Sequence, residues 1–78
     1  MTRLNKIAVT YLIVDEYNKQ TGRTIVPVLL IRYVMRKTGV SRDKAQDYIT
    51  QLINGINIEH KKYQIELNEG GYLCRKLK

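Results

Sequence analysis

The sequence predicts one small α+β domain that is mostly helical and spans residues 1–78. Two observations lead to this prediction. Up to about residue 55, apolar side chains recur every three or four positions, as on the buried face of a helix; after Gly55 they alternate in period two, as in strands. Gly22, Pro27 and Gly39 interrupt the helical part and divide it into three helices.

The composition is typical of a globular domain that has neither a disulfide nor a bound metal. Hydrophobic residues make up 44% of the chain, too many for a disordered tail. Because Cys74 is the only cysteine and His60 the only histidine, an internal disulfide and a Cys/His zinc site are excluded. We expect no metal and no cofactor, so that stability comes from packing or from a second copy of the chain.

The net charge of +7 favours a polyanionic partner, but it is unevenly distributed. Residues 23–40 contribute +4, because they include four basic and no acidic residues, whereas residues 41–55 sum to zero. A basic surface of this kind suits DNA, RNA, an acidic protein or an anionic membrane. Residues 56–78 add +2. The basic excess therefore flanks the third predicted helix and does not lie within it.

The apolar stretch Ile7–Val14 resembles the apolar part of a signal peptide, but the resemblance does not extend beyond it. It runs directly into Asp15 and Glu16, and no small-residue cleavage site follows. It is also too short to cross a bilayer. We therefore expect a cytoplasmic, unprocessed protein that does not associate with membranes.

The first helix is predicted from Arg3 to about Gln20. It ends at Thr21-Gly22, where glycine can take the left-handed conformation that closes a helix. Its β-branched residues make a buried strand the competing interpretation, but its length favours the helix. The predicted inward face consists of Leu4, Ile7, Ala8, Tyr11 and Leu12.

A short strand at Thr24–Val26 is predicted to lead into the second helix. The residue before a proline favours extended geometry, and Pro27 suits the first position of a helix. The second helix should then run to about Lys37. Its predicted inward residues are Leu30, Ile31, Val34, Met35 and Thr38.

The third helix is predicted to begin after Ser41, whose hydroxyl can accept from a free N–H of the first turn. Asp43 then lies near the positive end of the helix dipole. Asn54-Gly55 should end this helix. Its predicted inward residues are Ala45, Tyr48, Ile49, Leu52 and Ile53.

The alternating runs Ile56–His60 and Tyr63–Leu67 predict a β-hairpin whose tip is Lys61-Lys62. The end of the chain allows three interpretations. Tyr72–Lys78 forms either a short helix or an outer strand, or else Asn68–Gly71 is the main turn and Lys62–Leu67 pairs with Tyr72–Leu77.

Residues 31–50 read as two helices joined by a tight turn, and with their neighbours they resemble the winged-helix family of DNA-binding proteins. Gly39 stands where the turn glycine of that family stands, and Val34, Val40 and Tyr48 match three apolar positions that hold the two helices together. Two positions depart from the pattern: Met35 replaces a small residue and Ala45 a larger one. The resemblance covers about residues 3–67.

The resemblance implies that the third helix lies in the major groove of DNA. The implied base-reading residues are Ser41, Arg42, Asp43, Gln46, Asp47 and Thr50. Those implied to contact the DNA backbone are Arg32, Arg36, Lys37 and Lys44. The wing would carry His60, Lys61 and Lys62.

Apolar residues beyond the predicted core faces lead us to expect a homodimer. Such a dimer would present two recognition helices to half-sites about 34 Å apart. The expected dimer interface, on the first helix, the tail or both, consists of Val9, Ile13, Tyr17, Tyr72, Leu73 and Leu77.

The expected function is sequence-specific binding of double-stranded DNA without enzymatic activity, either as a transcriptional regulator or as a DNA-binding factor of a phage, virus or plasmid. No small-molecule substrate is evident, because no nucleophile–base set, carboxylate pair or phosphate loop appears at usable spacing. The alternative is a winged-helix module that binds another protein. RNA binding is a third interpretation, for which no stacking-aromatic motif is visible.

Overall fold

A computed structural model describes residues 5–75, and all structural statements below refer to them. Three helices come first: α1 (Lys6–Thr21), α2 (Pro27–Thr38) and α3 (Arg42–Asn54). Four short strands follow: β1 (Ile56–Ile58), β2 (Lys61–Tyr63), β3 (Ile65–Asn68) and β4 (Gly71–Cys74). The predicted α+β class with mostly helical content is confirmed, as is the helical interpretation of the first segment.

Local capping signals determine where the helices begin and end. The Asn5 side chain accepts a hydrogen bond of 2.8 Å from the Ile7 N–H, so α1 begins later than predicted. Pro27 opens α2 as expected. Gly39 closes α2 with a φ of 74°, which favours glycine, and Ser41 caps α3.

The core lies between the three helices and the β3–β4 hairpin. Its fully buried apolar side chains are Val14, Ile25, Leu30, Val34, Ala45, Ile49 and Leu52, with Ile65 almost fully buried beside them. The β1–β2 hairpin contributes only partly buried residues, among which Tyr63 meets Tyr11 edge-to-face with ring centroids 5.0 Å apart. The first hairpin is therefore more loosely attached than the second.

Several predicted inward positions are wrong. Leu12 is 43% exposed, whereas Thr10 and Val14, which were not assigned to the core, are fully buried. The buried face of α1 contains Ile7, Thr10 and Val14. Thr10 can lie inside the core because its hydroxyl donates a hydrogen bond of 2.9 Å to the Lys6 carbonyl.

The outer edges of α2 and α3 also differ from the prediction. Met35 and Ile53 are exposed, although both were expected to face inward. Each inward face is narrower than its apolar pattern suggests, since Leu30 and Val34 alone are buried on α2. Of the two positions that depart from the winged-helix pattern, Met35 therefore lies outside the core, whereas Ala45 is fully buried.

The predicted tip of the first hairpin is wrong by two residues. Ile58 pairs with Lys61, so the turn consists of Glu59 and His60, and Lys61 and Lys62 belong to β2. Glu59 and His60 have φ values of 49° and 69°. Two-residue hairpin turns require such positive values, and they usually contain glycine or asparagine. The absence of those residues explains why the sequence did not reveal this turn.

The second hairpin agrees in part with the third interpretation of the chain end: its turn and the pairing near it are as predicted, but Lys62 and Tyr63 pair with β1, and residues 76–78 lie outside the described residues. Leu67 pairs with Tyr72 and Asn68 with Gly71, which puts the turn at Glu69-Gly70. The expected strand before Pro27 is reduced to Ile25, which exchanges two backbone hydrogen bonds with Tyr72 at 3.0 and 2.8 Å. This pairing attaches the segment between α1 and α2 to the edge of β4.

The Asn18 carboxamide holds α1, the following loop and β4 together. Its Nδ2 donates to the Arg23 carbonyl at 2.9 Å and to the Tyr72 carbonyl at 3.2 Å. Its Oδ1 accepts from the Cys74 N–H at 3.0 Å. Both N–H donors of the amide and its acceptor are therefore used, and three backbone groups depend on one side chain.

We expect Asn18→Ala to lower the free energy of unfolding by about 2 kcal/mol, because it removes three hydrogen bonds and leaves the partly buried Cys74 N–H unpaired. Urea denaturation followed by circular dichroism measures this. Gln20→Ala is the matched control, since its amide bonds only the exposed Glu16. We expect it to change stability by less than about 0.5 kcal/mol. Equal effects of the two substitutions would contradict the role of Asn18.

Gly71 has no room for a side chain. A Cβ built on Gly71 would overlap the Thr24 hydroxyl, and it would lie 2.7 Å from the Thr24 Cβ and 3.2 Å from the Ile25 carbonyl. Gly71 is buried, and its close contact with this segment allows the neighbouring Tyr72 to reach Ile25.

Gly71→Ala should therefore destabilise the protein by about 2 kcal/mol through overpacking. A double-mutant cycle with Thr24→Gly tests the cause, because the second substitution removes the Thr24 side-chain atoms that clash while residue 71 stays alanine. The double variant should lose less stability than the sum of the two single variants. Simple additivity would rule out the contact with Thr24 as the source of the loss.

Candidate nucleic-acid interface

The residues Gly39, Val40 and Ser41 join α2 and α3, and an apolar contact holds the two helices together. Val34 is fully buried, Tyr48 is nearly so, and Val40 packs against the same core cluster. All three positions were predicted to pin these helices. The pair thus forms a compact unit whose outer surfaces are determined by the core beneath them.

The outer face of α3 presents polar side chains along its whole length. All six predicted base-reading residues are exposed. Three of them already make internal contacts. Ser41 accepts from the Lys44 N–H at 3.3 Å, Thr50 donates to the Gln46 carbonyl at 3.1 Å, and Asp47 accepts from Gln51 at 3.1 Å.

The other three predicted base-reading side chains have no hydrogen-bond partner within residues 5–75: Arg42, Asp43 and Gln46. Two of them offer donors, and Asp43 offers acceptors beside the N-terminus of the helix. The first half of α3 is therefore the part best suited to contact a ligand directly.

Three arginines lie around one open groove on the outer surface of α2 and the start of α3. Arg32 and Arg36 come from α2 and Arg42 from α3. Val28, Ile31 and Met35 supply its apolar lining, and the open groove has a volume of about 540 Å³. We call this surface, defined by these six residues, the arginine groove.

None of the three arginines has a carboxylate within 4.0 Å in the part of the chain that the structure describes. The ion pair found there joins Lys19 and Asp15 on α1 at 2.9 Å. The three guanidinium groups therefore create an uncompensated positive potential over the groove. Arg32 and Arg36 were predicted contact residues, but their grouping with Arg42 around exposed apolar side chains was not predicted.

The two remaining predicted backbone contacts lie outside the groove lining. Lys37 is exposed in the last turn of α2, where a cation is favoured by the helix dipole. The Lys44 ammonium lies 5.9 Å from the centroid of the Tyr48 ring, which restrains it on the surface of α3.

The predicted wing residues are all exposed, but they occupy other positions than expected. His60 is in the turn between β1 and β2, and Lys61 and Lys62 lie on β2, where they pair with Ile58 and Asn57. The two lysines therefore extend along a strand and do not form a tip.

The described residues of the expected dimer interface are partly or largely buried within the chain. Tyr72 is only 7% exposed and belongs to the core, and Ile13 and Tyr17 pack against that core. Val9 and Leu73 are partly buried. Leu77 lies outside the described residues. The apolar stripe expected on the first helix is thus mostly used within the chain.

The tip of the second hairpin is acidic, which was not predicted. Glu66 and Glu69 are exposed, and residues 65–74 contain no basic side chain. Between them lies Leu67, which is 61% exposed. A chain with a net charge of +7 thus carries one negatively charged projection.

Cys74 is unsuited to nucleophilic chemistry. Its Sγ lies 3.5 Å from the Tyr11 carbonyl oxygen, and burial raises the pKa of the thiol to about 12. Burial, together with the neighbouring Cys74, also raises the pKa of the Tyr11 hydroxyl to about 12. Nucleophilic cysteines need a lowered pKa, so Cys74 has a packing role.

Two further features are absent from residues 5–75. These residues contain no group of three or more His, Cys, Asp or Glu side chains that could hold a metal ion. They also contain no helix with the length and hydropathy needed to cross a membrane.

Comparisons of the chain with protein-family models, with curated proteins and with solved structures gave no match. The assignment of the site therefore depends on its geometry and charge.

At pH 8, we expect Cys74 in the folded protein to react with a thiol reagent about a thousandfold more slowly than free cysteine, since a pKa of about 12 leaves correspondingly little thiolate. Absorbance during reaction with a chromogenic disulfide measures this rate. Denaturant should restore the rate of a free thiol. Rapid reaction without denaturant would contradict the buried thiol.

The same pKa shifts give stability a direction with pH. The Cys74 thiol and the Tyr11 hydroxyl keep their protons to higher pH in the folded protein than in the unfolded chain. Their contribution to the free energy of unfolding is therefore complete below about pH 9, the ordinary pKa of the thiol, and is lost as the pH rises towards 12. The urea midpoint should fall between pH 9 and 11, and less so for Cys74→Ala.

Proposed function

We propose that the protein is a sequence-specific double-stranded DNA-binding protein of the winged helix-turn-helix type. It would act as a transcriptional regulator or as a DNA-binding factor of a phage, virus or plasmid. One observation carries the proposal: the exposed polar face of α3 begins directly beside three arginines that have no carboxylate partner within the described residues.

This arrangement suits the usual division of work at a DNA interface. Arginine and lysine contacts to phosphates supply affinity that does not depend on sequence, whereas side chains in the major groove select bases. Arg32 and Arg36 would bind phosphates. Arg42 suits the two acceptors of guanine, and Gln46 suits the donor–acceptor pair of adenine.

The strand arrangement supports the winged type. Because Ile25 pairs with β4, the β3–β4 hairpin corresponds to the wing, and β1–β2 is an additional hairpin between α3 and the wing. The tip of β3–β4 carries Glu69, which phosphates would repel. We therefore assign the contacts that a hairpin would make with DNA to the first hairpin, at Lys61 and Lys62 on β2.

A second candidate function is a module that binds another protein. Asp43 and Asp47 are exposed on α3, where they would lie near phosphates in a DNA complex. Val28, at 68% exposure, also offers apolar surface that DNA does not require. Both observations favour a protein ligand, and the same experiment separates the two functions.

Selection from a pool of random duplexes, followed by fluorescence anisotropy, tests the proposal. The wild type should enrich one site and bind it with a Kd below about 0.1 µM at moderate salt. Arg42→Ala/Gln46→Ala should remove the preference for that site, since each lost base contact costs about 1–3 kcal/mol.

Salt dependence provides the second measurement. Arg32→Ala/Arg36→Ala should flatten the slope of log K against log salt by about 2, because each phosphate contact contributes about 0.9. Arg23→Ala/Arg75→Ala removes the same charge outside the arginine groove and should leave the slope nearly unchanged. If no duplex binds below about 10 µM at low salt, DNA binding is refuted and the protein-binding module remains.

A further inference from the structure

The two most exposed large apolar side chains in the described residues lie on surfaces of opposite charge. Val28, at 68% exposure, lies in the arginine groove, and Leu67, at 61%, lies between Glu66 and Glu69 on the β3–β4 tip. One surface is an open groove lined by apolar side chains and arginines. The other is a hairpin tip at which an exposed leucine lies between two glutamates in the sequence.

DNA binding explains neither feature. The guanidinium groups can bind a DNA phosphate backbone, but the apolar lining that Val28, Ile31 and Met35 provide makes no favourable contact with phosphates. The acidic tip would be repelled by DNA. Exposed apolar surface beside unpaired charge is instead characteristic of a protein-binding site.

We propose that the β3–β4 tip of one copy of this chain docks into the arginine groove of a second copy. Leu67 covers the apolar lining at Val28, while Glu69, in the adjoining turn, meets Arg32 and Arg36. Glu66 lies on the opposite face of β3 from Leu67 and adds to the negative charge of the tip. Arginine and carboxylate can pair through two parallel hydrogen bonds, which favours this occupant over one that lacks carboxylates.

The occupant is a second copy because the chain itself supplies the matching chemistry. Residues 65–74 have a charge of −2, from two glutamates and no basic residue, in a protein whose net charge is otherwise strongly positive. This hairpin is the only acidic one in the described residues. Docking would place its negative charge against arginines that have no carboxylate partner there.

Docking has a consequence that rests on the proposed function. Arg32, Arg36 and Arg42 cannot contact phosphates while they are covered by the tip of a neighbouring copy. Self-association and DNA binding therefore compete for the same arginines. The docking itself is tested without DNA, so its failure and the failure of DNA binding are separate results.

Sedimentation velocity of the full chain, from about 10 µM to about 500 µM, covers the range in which small, partly charged interfaces associate. The wild type should form a faster species as its concentration rises. Glu66→Lys/Glu69→Lys and Arg32→Glu/Arg36→Glu should each weaken association at least about tenfold, because each places like charges at the contact. An equimolar mixture of the two variants should associate again, since each then offers what the other lacks.

The matched control is Glu16→Lys/Glu59→Lys, which makes the same charge change at exposed positions outside the tip and the groove. It should associate like the wild type. Leu67→Ser should weaken association at least about fivefold, whereas Leu12→Ser, at another exposed leucine, should not.

Circular dichroism establishes that each variant is folded. If a charge-reversed variant does not fold, the comparison of Leu67→Ser with Leu12→Ser decides. A wild type that stays monomeric at all concentrations overturns the proposal. So does a mixture of folded charge-reversed variants that stays monomeric, or a control that weakens association as much as the tip variant.

Discussion

The attachment of α1 to β4 through Asn18 is the constraint on which the arrangement of the other elements depends. Asn18 bonds Arg23 just after the helix, and Tyr72 and Cys74 more than fifty residues later in the chain. The Tyr72 carbonyl also accepts from Ile25, so one strand edge holds both α1 and the segment that leads into α2. Because α2 begins immediately after this segment, the position of the helix-turn-helix unit follows from the contact. The Asn18 side-chain amide thus links β4 to the segment that leads into α2, and α2 carries part of the surface proposed to bind DNA.

The features that could be predicted from the sequence are those with local causes. Pro27, Gly39 and Ser41 mark helix ends through their own backbone or side-chain chemistry, so the bounds of α2 and α3 were correct to within one residue. The inward face of α1 was correct at Ile7 and Ala8 but missed Thr10, which is polar by type and whose burial depends on a bond to the Lys6 carbonyl. The turn at Glu59-His60 was missed because neither residue is typical of positive φ.

The candidate site was predictable in its exposure but not in its grouping. Helical periodicity indicates that Arg42, Gln46 and Thr50 face outward, and the structure agrees. Periodicity cannot indicate that Arg42 of α3 lies beside Arg32 and Arg36 of α2, since this depends on how the two helices cross. The role of Asn18 was invisible for the same reason, because its partners are distant in sequence. Long-range contacts, not local propensity, account for what was missed.

The separation of the two hairpins gives the molecule two levels of local stability. β1 pairs with β2 and β3 with β4 in two separate two-stranded sheets, and the bridge from Ile25 joins β4 of the second sheet. The first hairpin turns through two residues other than glycine at positive φ and lacks fully buried side chains, whereas the second is held by Ile25 and Asn18. Local unfolding of the first hairpin can therefore occur while the helices and the second hairpin stay native. We therefore expect the backbone amides around Lys61 and Lys62 to exchange with solvent more readily than those of the second hairpin.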